Sequence, residues 1–321
     1  MRNVDIEYLG QSGFLVRLGA TGLLFDPAEG SLPPQDRLEG FQRLIVLFSQ
    51  DGGEHYDPDA FERCGAHARF VVSGEFDILP PGVHRLCAGE TLCLPAEPEQ
   101  RAPQTPATDA PGGEAEVAPR PEDGAETAQA RERDAEAPQG SSELAREDAQ
   151  AALADAPEGK SSEPLRDDPK AEETGEADGL GPIEISAHPS TDRGVCFLVR
   201  LSGLTFFHAG SLNLWHWREI STIAQIEEAE RAFDDCLQAL PAGPIDVAFF
   251  PIDPRQGSMY DAGAGAFLMS RRPALLLPMA FGERADAAHY FALNNATPAT
   301  AIEVLARAGD TLAAKLPEHA E

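Results

Sequence analysis

The chain has 321 residues and a formal net charge of −29. Nucleic acids and anionic membranes are themselves negatively charged, so this surplus disfavours both as direct binding partners. No apolar run reaches the about 20 residues that a membrane-spanning helix needs, and the first residues show an alternating strand pattern where a signal peptide would be apolar. We therefore expect a soluble cytoplasmic protein. Its five cysteines are scattered without a CxxC pair, which predicts reduced thiols.

The first part of the chain alternates short strands with turns. Short apolar runs rich in β-forming residues, bounded by glycine or proline, predict strands at residues 4–8, 13–18, 23–25, 44–48 and 70–73. The stretch "GVHRLCAGETLCL", residues 82–94, is predicted to form a hairpin. The polar residues 49–55 follow the end of a predicted buried strand, which is a common position for functional side chains in α/β proteins.

Residues 94–180 have a different composition from the rest of the chain. They contain 23 acidic and 8 basic residues, and they lack Phe, Tyr, Trp and Ile. Such a segment cannot bury enough apolar surface to offset the entropy lost on ordering, so we predict a disordered acidic insertion. The predicted organisation is an N-terminal half at residues 1–93, the insertion at 94–180, and a C-terminal half at 181–321.

After the insertion the strand pattern returns. Strands are predicted at residues 183–187, 195–201, 204–208, 247–251 and 274–278. An amphipathic helix is predicted around residues 222–239, and its apolar stripe consists of Ile223, Ile226, Ala229 or Glu230, Phe233 and Leu237. Residues 299–316 are predicted to form another amphipathic helix, followed by a frayed acidic tail. Strands followed by helices, twice, predict an α/β (α+β) fold in which two sheet-and-helix halves pack face to face in four layers, with the insertion at their junction.

Four stretches together resemble the small intracellular metallo-hydrolases of the metallo-β-lactamase superfamily. They are "YLGQSGFLVRLGATGLLFDP", "STDRGVCFLVRLSGLTFFHAGSLNLWHW", "IDVAFFPIDPRQ" and "LLLPMAF". The resemblance extends over nearly the whole chain outside the insertion, and it implies a four-layer αββα sandwich.

In that superfamily a His-x-His-x-Asp-His loop, a distant His, a bridging Asp and a final His hold two zinc ions. Imidazole and carboxylate ligands leave an open position where bound water ionises near neutral pH and attacks the substrate. The resemblance aligns the loop with Gln50, Gly52, Glu54 and His55, and it aligns the bridging Asp with Ser211. It aligns the final His with Ala280 and the distant His with His188.

The metal-binding motifs are therefore degenerate at Gln50, Gly52, Ser211 and Ala280. Glycine and alanine offer no ligand atom, and amide or hydroxyl oxygens are poor substitutes for imidazole. Glu54, His55 and His188 remain as vestigial ligands. No catalytic residue is assigned, no cofactor is expected, and zinc or another divalent metal would bind only at low occupancy.

Six further residues are candidates for the wall of the cleft. Asp26 and Asp253 precede prolines at strand ends, where an aspartate caps turns or supports neighbouring side chains. Trp215 and Trp217 alternate, which predicts that they point to opposite faces of an extended segment. The full set is Asp26, His208, Asn213, Trp215, His216 and Asp253. A serine hydrolase is disfavoured, because no serine is paired with His and Asp by spacing.

Three functions remain open at this stage. The first is a pseudoenzyme that keeps the fold and acts by binding a small molecule or a protein. The second is a residual metal-dependent hydrolase that uses Glu54, His55 and His188, or an unaligned ligand such as Asp51. The third is a scaffold whose acidic insertion recruits a basic protein.

Overall fold

The computed structural model describes residues 1–65, 68–96, 181–317 and 319. Of the disordered insertion predicted at residues 94–180, residues 97–180 lie outside the described residues. Its predicted start is wrong, because Leu94 is buried and pairs with Ile183 in a strand. Within the described part of the chain, no helix is long and apolar enough to cross a membrane.

The strands form two sheets of seven. In spatial order, the first sheet contains β14 (Thr311–Leu316), β1 (Arg2–Gly10), β2 (Gly13–Leu18), β3 (Thr21–Phe25), β4 (Arg43–Phe48), β5 (Ala68–Ser73) and β6 (His84–Leu86). The second contains β13 (Ala301–Ile302), β12 (Leu275–Met279), β11 (Val247–Pro251), β10 (Leu204–His208), β9 (Val195–Leu201), β8 (Ile183–Pro189) and β7 (Thr91–Leu94). Strands β3 to β6 are parallel, and so are β10 to β13.

Helices cover the outer faces of both sheets. They are α1 (Gln35–Glu39), α2 (Ala60–Arg63), α3 (Ile223–Ala239), α4 (Ala262–Arg271) and α5 (Ala285–Asn295), and a 3₁₀ helix spans Pro254–Met259. The first two helices lie on the first sheet, and the last three pack with the second sheet. The expected four-layer αββα arrangement is therefore confirmed.

Strand β4 shows how the sequence separates the layers. All six of its residues are buried. Ile45 and Leu47 belong to the core between the sheets, whereas Leu44, Val46 and Phe48 pack with the helices outside. The two-residue side-chain period of a strand sends alternate residues to opposite faces, so a continuous apolar run supplies two cores at once.

The insertion begins and ends at neighbouring strands. Leu94 at the end of β7 pairs with Ile183 at the start of β8. The buried guanidinium of Arg43 donates hydrogen bonds to the carbonyl oxygens of Gly181 (2.8 Å) and Pro95 (3.4 Å). One side chain therefore fixes the residues on both sides of the insertion.

The predicted hairpin at residues 82–94 is wrong, although both of its strands exist. Strand β6 pairs with β5 in the first sheet, and β7 pairs with β8 in the second. The chain therefore crosses between the sheets at residues 87–90, and β7 already belongs to the second sheet before the insertion begins. A turn sequence indicates reversal of the chain but does not determine which strands pair.

The predicted helix at residues 299–316 is also wrong. This stretch forms β13 and β14, separated by a turn in which Gly309 has φ +91°. Strand β14 pairs with β1 over six residues, from Arg2–Leu316 to Glu7–Thr311. Pairing with a distant strand overrides the local helical propensity of this alanine-rich stretch.

Two details at the ends of predicted elements differ as well. Helix α3 forms as predicted, but Ile223 of its apolar stripe is 76% exposed, and the buried residues begin at Phe233. The tail is held at His319, whose Nε2 lies 2.9 Å from Oδ1 of buried Asp246, and whose backbone N–H donates to Gly203 O. The tail is therefore not frayed at that residue.

Candidate functional site

Strand ends from both sheets bring the candidate residues together. Asp26 follows β3, Ser49 follows β4, and Ala209 follows β10. Ile252 follows β11 and Ala280 follows β12 in the same way. Carboxyl ends of parallel strands meet at one edge of a sheet, where α/β proteins commonly bind ligands.

Asp26 is the buried hub of this region. Its carboxylate accepts hydrogen bonds from the Ser49 backbone N–H (2.7 Å), the Ser49 hydroxyl (2.5 Å) and His55 Nδ1 (2.7 Å). Burial alone would raise the pKa of Asp26. The neighbouring His208 and the hydrogen bonds from His55 and Ser49 outweigh burial and lower this pKa below its usual range. Asp26 was predicted to lie near the cleft, and it supports the wall of the cleft by holding Ser49 and His55 in place.

His208 lies on the other side of Asp26 and is held by two hydrogen bonds. Its Nε2 donates to the Ser12 carbonyl oxygen (2.8 Å), and its Nδ1 accepts from the Gly210 N–H (3.2 Å). The ring stacks on Phe25 with centroids 5.2 Å apart. Burial lowers the pKa of His208 despite the opposing influence of Asp26. With one nitrogen donating and the other accepting, the ring is a neutral structural bridge between the sheets.

The hydrogen bond to Asp26 determines how His55 is presented. Because Nδ1 donates to the carboxylate, Nε2 is the nitrogen left without a partner among the described residues. The ring is 6% exposed and lines a cavity of about 100 Å³. A carboxylate bound to one nitrogen fixes the tautomer and the orientation of an imidazole whose second nitrogen can bind a metal or transfer a proton.

Ser49 completes a Ser–His–Asp cluster that spacing alone did not reveal. Its hydroxyl lies 3.4 Å from His55 Nδ1, the same nitrogen that contacts Asp26. A nucleophilic serine is activated from the nitrogen opposite the aspartate, and Ser49 is fully buried. The cluster therefore lacks the geometry of a catalytic triad.

The cavity brings together most of the predicted ligand positions. Its lining consists of Ser12, Gln50, Glu54, His55, Asp192, Gly210, Ser211, Trp215, Pro251, Asp253, Arg255 and Ala280. Gln50, Ser211 and Ala280 occupy it with an amide, a hydroxyl and a methyl group. Gly52 does not line it, although an added Cβ there would lie 3.9 Å from Gln50 Nε2.

Arg255 places a cationic side chain at the cavity, and sequence reasoning missed it. Its guanidinium forms a bidentate ion pair with Asp253, with Nε–Oδ1 2.9 Å and Nη2–Oδ2 2.8 Å. A second nitrogen, Nη1, lies 3.7 Å from Oε1 of Glu54. The motif "DPRQ" contained the signal, since Asp253 and Arg255 are two residues apart within it. The vestigial ligand Glu54 and the cleft candidate Asp253 therefore both face a cation.

These residues do not fit a dinuclear metal centre. Within the described residues, no group of three or more His, Cys, Asp or Glu side chains could hold a metal ion. The carboxylates of Glu54 and Asp253 face Arg255, and Nδ1 of His55 is bound to Asp26.

His188 lies elsewhere. Its Nε2 is 2.9 Å from the Ser186 hydroxyl, and it is not among the residues that line the cavity. Burial, Arg200 and Arg271 lower the pKa of its imidazole. Its expected role as the distant metal ligand is not supported by this position. Asp51, the unaligned alternative, forms an ion pair with Arg193 and is also outside the lining.

The remaining candidates build the segment after β10. Asn213 is buried, and its side-chain amide donates to Gln256 Oε1 (2.8 Å). The rings of Trp215 and Trp217 stack with centroids 6.3 Å apart, which corrects the prediction that they point to opposite faces. Trp215 lines the cavity of His55 and also a second cavity, which His216 and Trp217 line as well.

Two facing seven-stranded sheets, helices on both outer faces and a polar cavity at the strand ends define a four-layer sandwich of the metallo-β-lactamase type. No protein-family model matches the chain, and no curated protein matches it.

Solved structures to which it is similar include Igni18, a novel metallo hydrolase from Ignicoccus hospitalis, with 15% identity, TM-score 0.47, and coverage of 98% of this chain and 99% of that chain. A putative metal-dependent hydrolase from Parabacteroides distasonis has 12% identity, TM-score 0.47, and coverage of 95% and 94%. The metallo-β-lactamase fold protein YhfI from Bacillus subtilis has 11% identity, TM-score 0.44, and coverage of 98% and 100%. The fold assignment rests on the sheet order and cores of this chain.

Proposed function

We propose that this protein is a non-catalytic member of the metallo-β-lactamase fold, a pseudoenzyme that acts by binding a small molecule or a protein. The observation that carries the proposal is the lining of the His55 cavity. Gln50, Ser211 and Ala280 stand there at positions where the resemblance places metal ligands. A metal ion that generates hydroxide needs imidazole or carboxylate ligands and one open coordination position. None of these three side chains is an imidazole or a carboxylate.

The charges around the cavity support the same proposal. Arg255 contacts Asp253 and lies 3.7 Å from Glu54, so two of the carboxylates that line the cavity already have a cationic partner. The cavity therefore presents hydrogen-bond donors and hydrogen-bond acceptors in a space of about 100 Å³. Such a space suits a small polar group, for instance the end of a larger ligand or of a partner side chain.

Metal analysis tests the proposal directly. Protein purified without chelator should contain well below one zinc, iron or manganese ion per chain. The same preparation should not hydrolyse phosphodiester, lactone or thioester substrates in a metal-dependent way. About one tightly bound metal per chain, together with turnover that a chelator removes, contradicts the proposal.

A residual hydrolase is the second candidate, and the orientation of His55 favours it. Asp26 holds the ring with Nε2 as the nitrogen without a partner among the described residues, as in a metal ligand or a general base. On this hypothesis His55→Ala abolishes turnover. On the pseudoenzyme hypothesis, any activity measured in the purified protein survives His55→Ala within error.

The scaffold hypothesis concerns residues 97–180, which lie outside the described part of the chain, and it remains a prediction. Its partner would be a basic protein, because the insertion has a surplus of 15 negative charges. We also propose the cytoplasm as the compartment, supported by five cysteines that are all free. Deletion of the insertion, followed by a comparison of bound proteins, tests the first idea, and cell fractionation tests the second.

A further inference from the structure

The first half of α3 is mostly exposed, with Ala229 partly buried against the core. Its buried side chains begin at Phe233, ten residues after the helix starts. Gln225, Glu228, Ala229 and Ala232 recur at helical spacing and line a cavity of about 500 Å³. The opposite wall is the segment that follows β10, including Trp215, His216, Trp217 and Ile220. This volume lies within the range of small-molecule sites.

His216 is an unsatisfied group in this wall. The residue is 3% exposed, and neither ring nitrogen has a hydrogen-bond partner among the described residues. Buried polar atoms without partners are rare because each loses its hydrogen bonds to water without replacement. A ligand that enters the cavity and brings a donor or an acceptor to this ring relieves that cost, with the side-chain adjustments that are common on binding.

The other walls supply apolar and aromatic surface. Trp217 is 38% exposed and Ile220 is 80% exposed, although both are large apolar side chains. The indole N–H of Trp217 already donates to the Arg255 carbonyl oxygen (3.1 Å), and that of Trp215 donates to Ser211 O (2.8 Å). The indole N–H groups are therefore occupied, and what the rings offer to a ligand is aromatic surface, which attracts apolar groups and cations.

Charge selects the sign of the ligand. Glu228 is the one carboxylic side chain in the lining, where no Lys or Arg is present, and the formal net charge of the chain is −29. The N-terminus of α3 would favour an anion, but it is closed by a capping box between Thr222 and Gln225. A carboxylate and indole rings in the lining of one cavity supply the chemistry that recognises an ammonium or related cation.

We infer that this cavity, the α3 cavity, binds a small organic cation with an apolar or aromatic body. The body would lie against Trp217, Ile220 and the alanines of α3, with the charged group at Glu228. The inference does not depend on the proposed function, because metal content and hydrolysis are decided in the His55 cavity, and the two cavities share only Trp215.

The experiment uses the two tryptophans of the chain, since both line the α3 cavity. Tryptophan fluorescence of the full chain is titrated with 2-phenylethylamine, 2-phenylethanol and 3-phenylpropionate, which have similar bodies and positive, neutral and negative charge. The amine should give a saturable change at millimolar or lower concentration and bind about tenfold more tightly than the carboxylate. Ligand-observed NMR under the same conditions confirms that the signal reports binding.

Variants separate the walls. Glu228→Gln should weaken amine binding about tenfold and leave binding of the neutral alcohol unchanged. Ile220→Ser should weaken both ligands. Ile223→Ser is the matched control for Ile220→Ser. Ile223 is 76% exposed at the start of α3, three residues after Ile220, and does not line the cavity. His216→Phe should raise the melting temperature of the ligand-free protein while weakening amine binding, since it removes the unpaired nitrogens.

Several results would overturn the inference. One is the absence of saturable binding of the amine up to about 10 mM. Others are equal affinity for amine and carboxylate, unchanged amine affinity in Glu228→Gln, or equal effects of Ile220→Ser and Ile223→Ser. Glu228 is exposed on the helix surface, so its variant should fold normally and decides the matter even if His216→Phe does not fold.

Discussion

The Nδ1 atom of His55 lies 2.7 Å from Oδ2 of Asp26, and both side chains are buried between strands of the first sheet and the loop after β4. This contact orders the whole loop, because the same carboxylate also holds the backbone and hydroxyl of Ser49. The vestigial histidine is therefore integrated into the folded structure.

Asp26→Asn should destabilise the protein by about 3 kcal/mol, because an amide cannot accept all of the hydrogen bonds that the carboxylate accepts and it places a donor against donors. Chemical denaturation followed by circular dichroism measures the change. Asp77→Asn is the control, since Asp77 is exposed and should change the unfolding free energy by less than about 0.5 kcal/mol. Equal effects of the two variants would contradict the role assigned to Asp26.

His208 should make the protein sensitive to mild acid. Burial lowers the pKa of its imidazole below the usual 6.5, so the unfolded chain binds a proton that the folded chain does not. The contribution of neutral His208 to the free energy of unfolding is therefore complete above about pH 6.5. Below that pH the free energy of unfolding declines by at most about 1.4 kcal/mol per pH unit. His208→Gln should flatten this decline, whereas His289→Gln, at an exposed position, should not. Unfolding free energies measured between pH 8 and pH 5, roughly the range where histidine titrates, provide the test.

Restoring ligands should restore metal binding. We expect the combined variant Gln50→His, Gly52→His, Glu54→Asp, Ser211→Asp and Ala280→His to bind zinc tightly, whereas each single change does little, because a partial cage leaves the coordination incomplete.

Two positions tolerate these changes. A Cβ added at Gly52 would have no neighbouring atom closer than 3.9 Å. Ala280 already has φ +59°, a conformation that histidine adopts more readily than most residues. Zinc per chain after dialysis is the measurement. Tight binding by any single variant would show that the natural site is closer to complete than its lining suggests.

Gly194 lies in close backbone contact with Ser49, near the site. It has φ +69°, and a Cβ built on it would lie 1.9 Å from the Ser49 carbonyl oxygen. Gly194→Ala should therefore cost several kcal/mol, about 1 kcal/mol of it from the left-handed backbone alone. Gly30→Ala isolates that backbone part, because Gly30 has φ +77° and nothing within 4 Å. Thermal and chemical unfolding of both variants should differ accordingly, and similar losses would contradict the predicted clash.

Removal of residues 97–180 should leave a folded protein. Leu94 and Ile183 are strand partners, so a short Gly-Ser linker can connect the two strands as a hairpin. The shortened chain should keep its cooperative unfolding transition, with a melting temperature changed by only a few degrees, about what a 1 kcal/mol change produces. Loss of cooperative unfolding would show that the insertion contributes to the core. Limited proteolysis of the full chain should cut within the insertion first and leave two associated fragments.

The sequence predicted most strands of both sheets, but not β13 and β14, because apolar runs with β-forming residues are local signals. It failed where partners at long sequence separation decide the outcome. Residues 299–316 have helical spacing of apolar side chains, yet β14 forms because the edge of β1 is available to it. Likewise, β6 and β7 are close in sequence but pair with different sheets.

The candidate site shows the same limit. The resemblance predicted seven ligand positions. Two of them, Gly52 and His188, do not line the cavity, and the other five do: Gln50, Glu54, His55, Ser211 and Ala280. The resemblance did not indicate that Arg255 faces Glu54, since an ion pair across 200 residues leaves no local pattern. The unpaired ring of His216 also has no sequence signature, because satisfaction of hydrogen bonds is a property of the packed structure alone.

The pairing of β14 with β1 has a consequence for synthesis on the ribosome. Arg2 is made before its strand partner Leu316, which follows more than 300 residues later. The outer edge of β1 therefore stays open while the residues between the two strands are made. At about 5–20 residues per second this is on the order of 15 seconds to a minute, during which an unpaired strand edge can join a neighbouring chain. A nascent chain of this protein should accordingly depend on chaperones more than its finished, highly charged form would suggest.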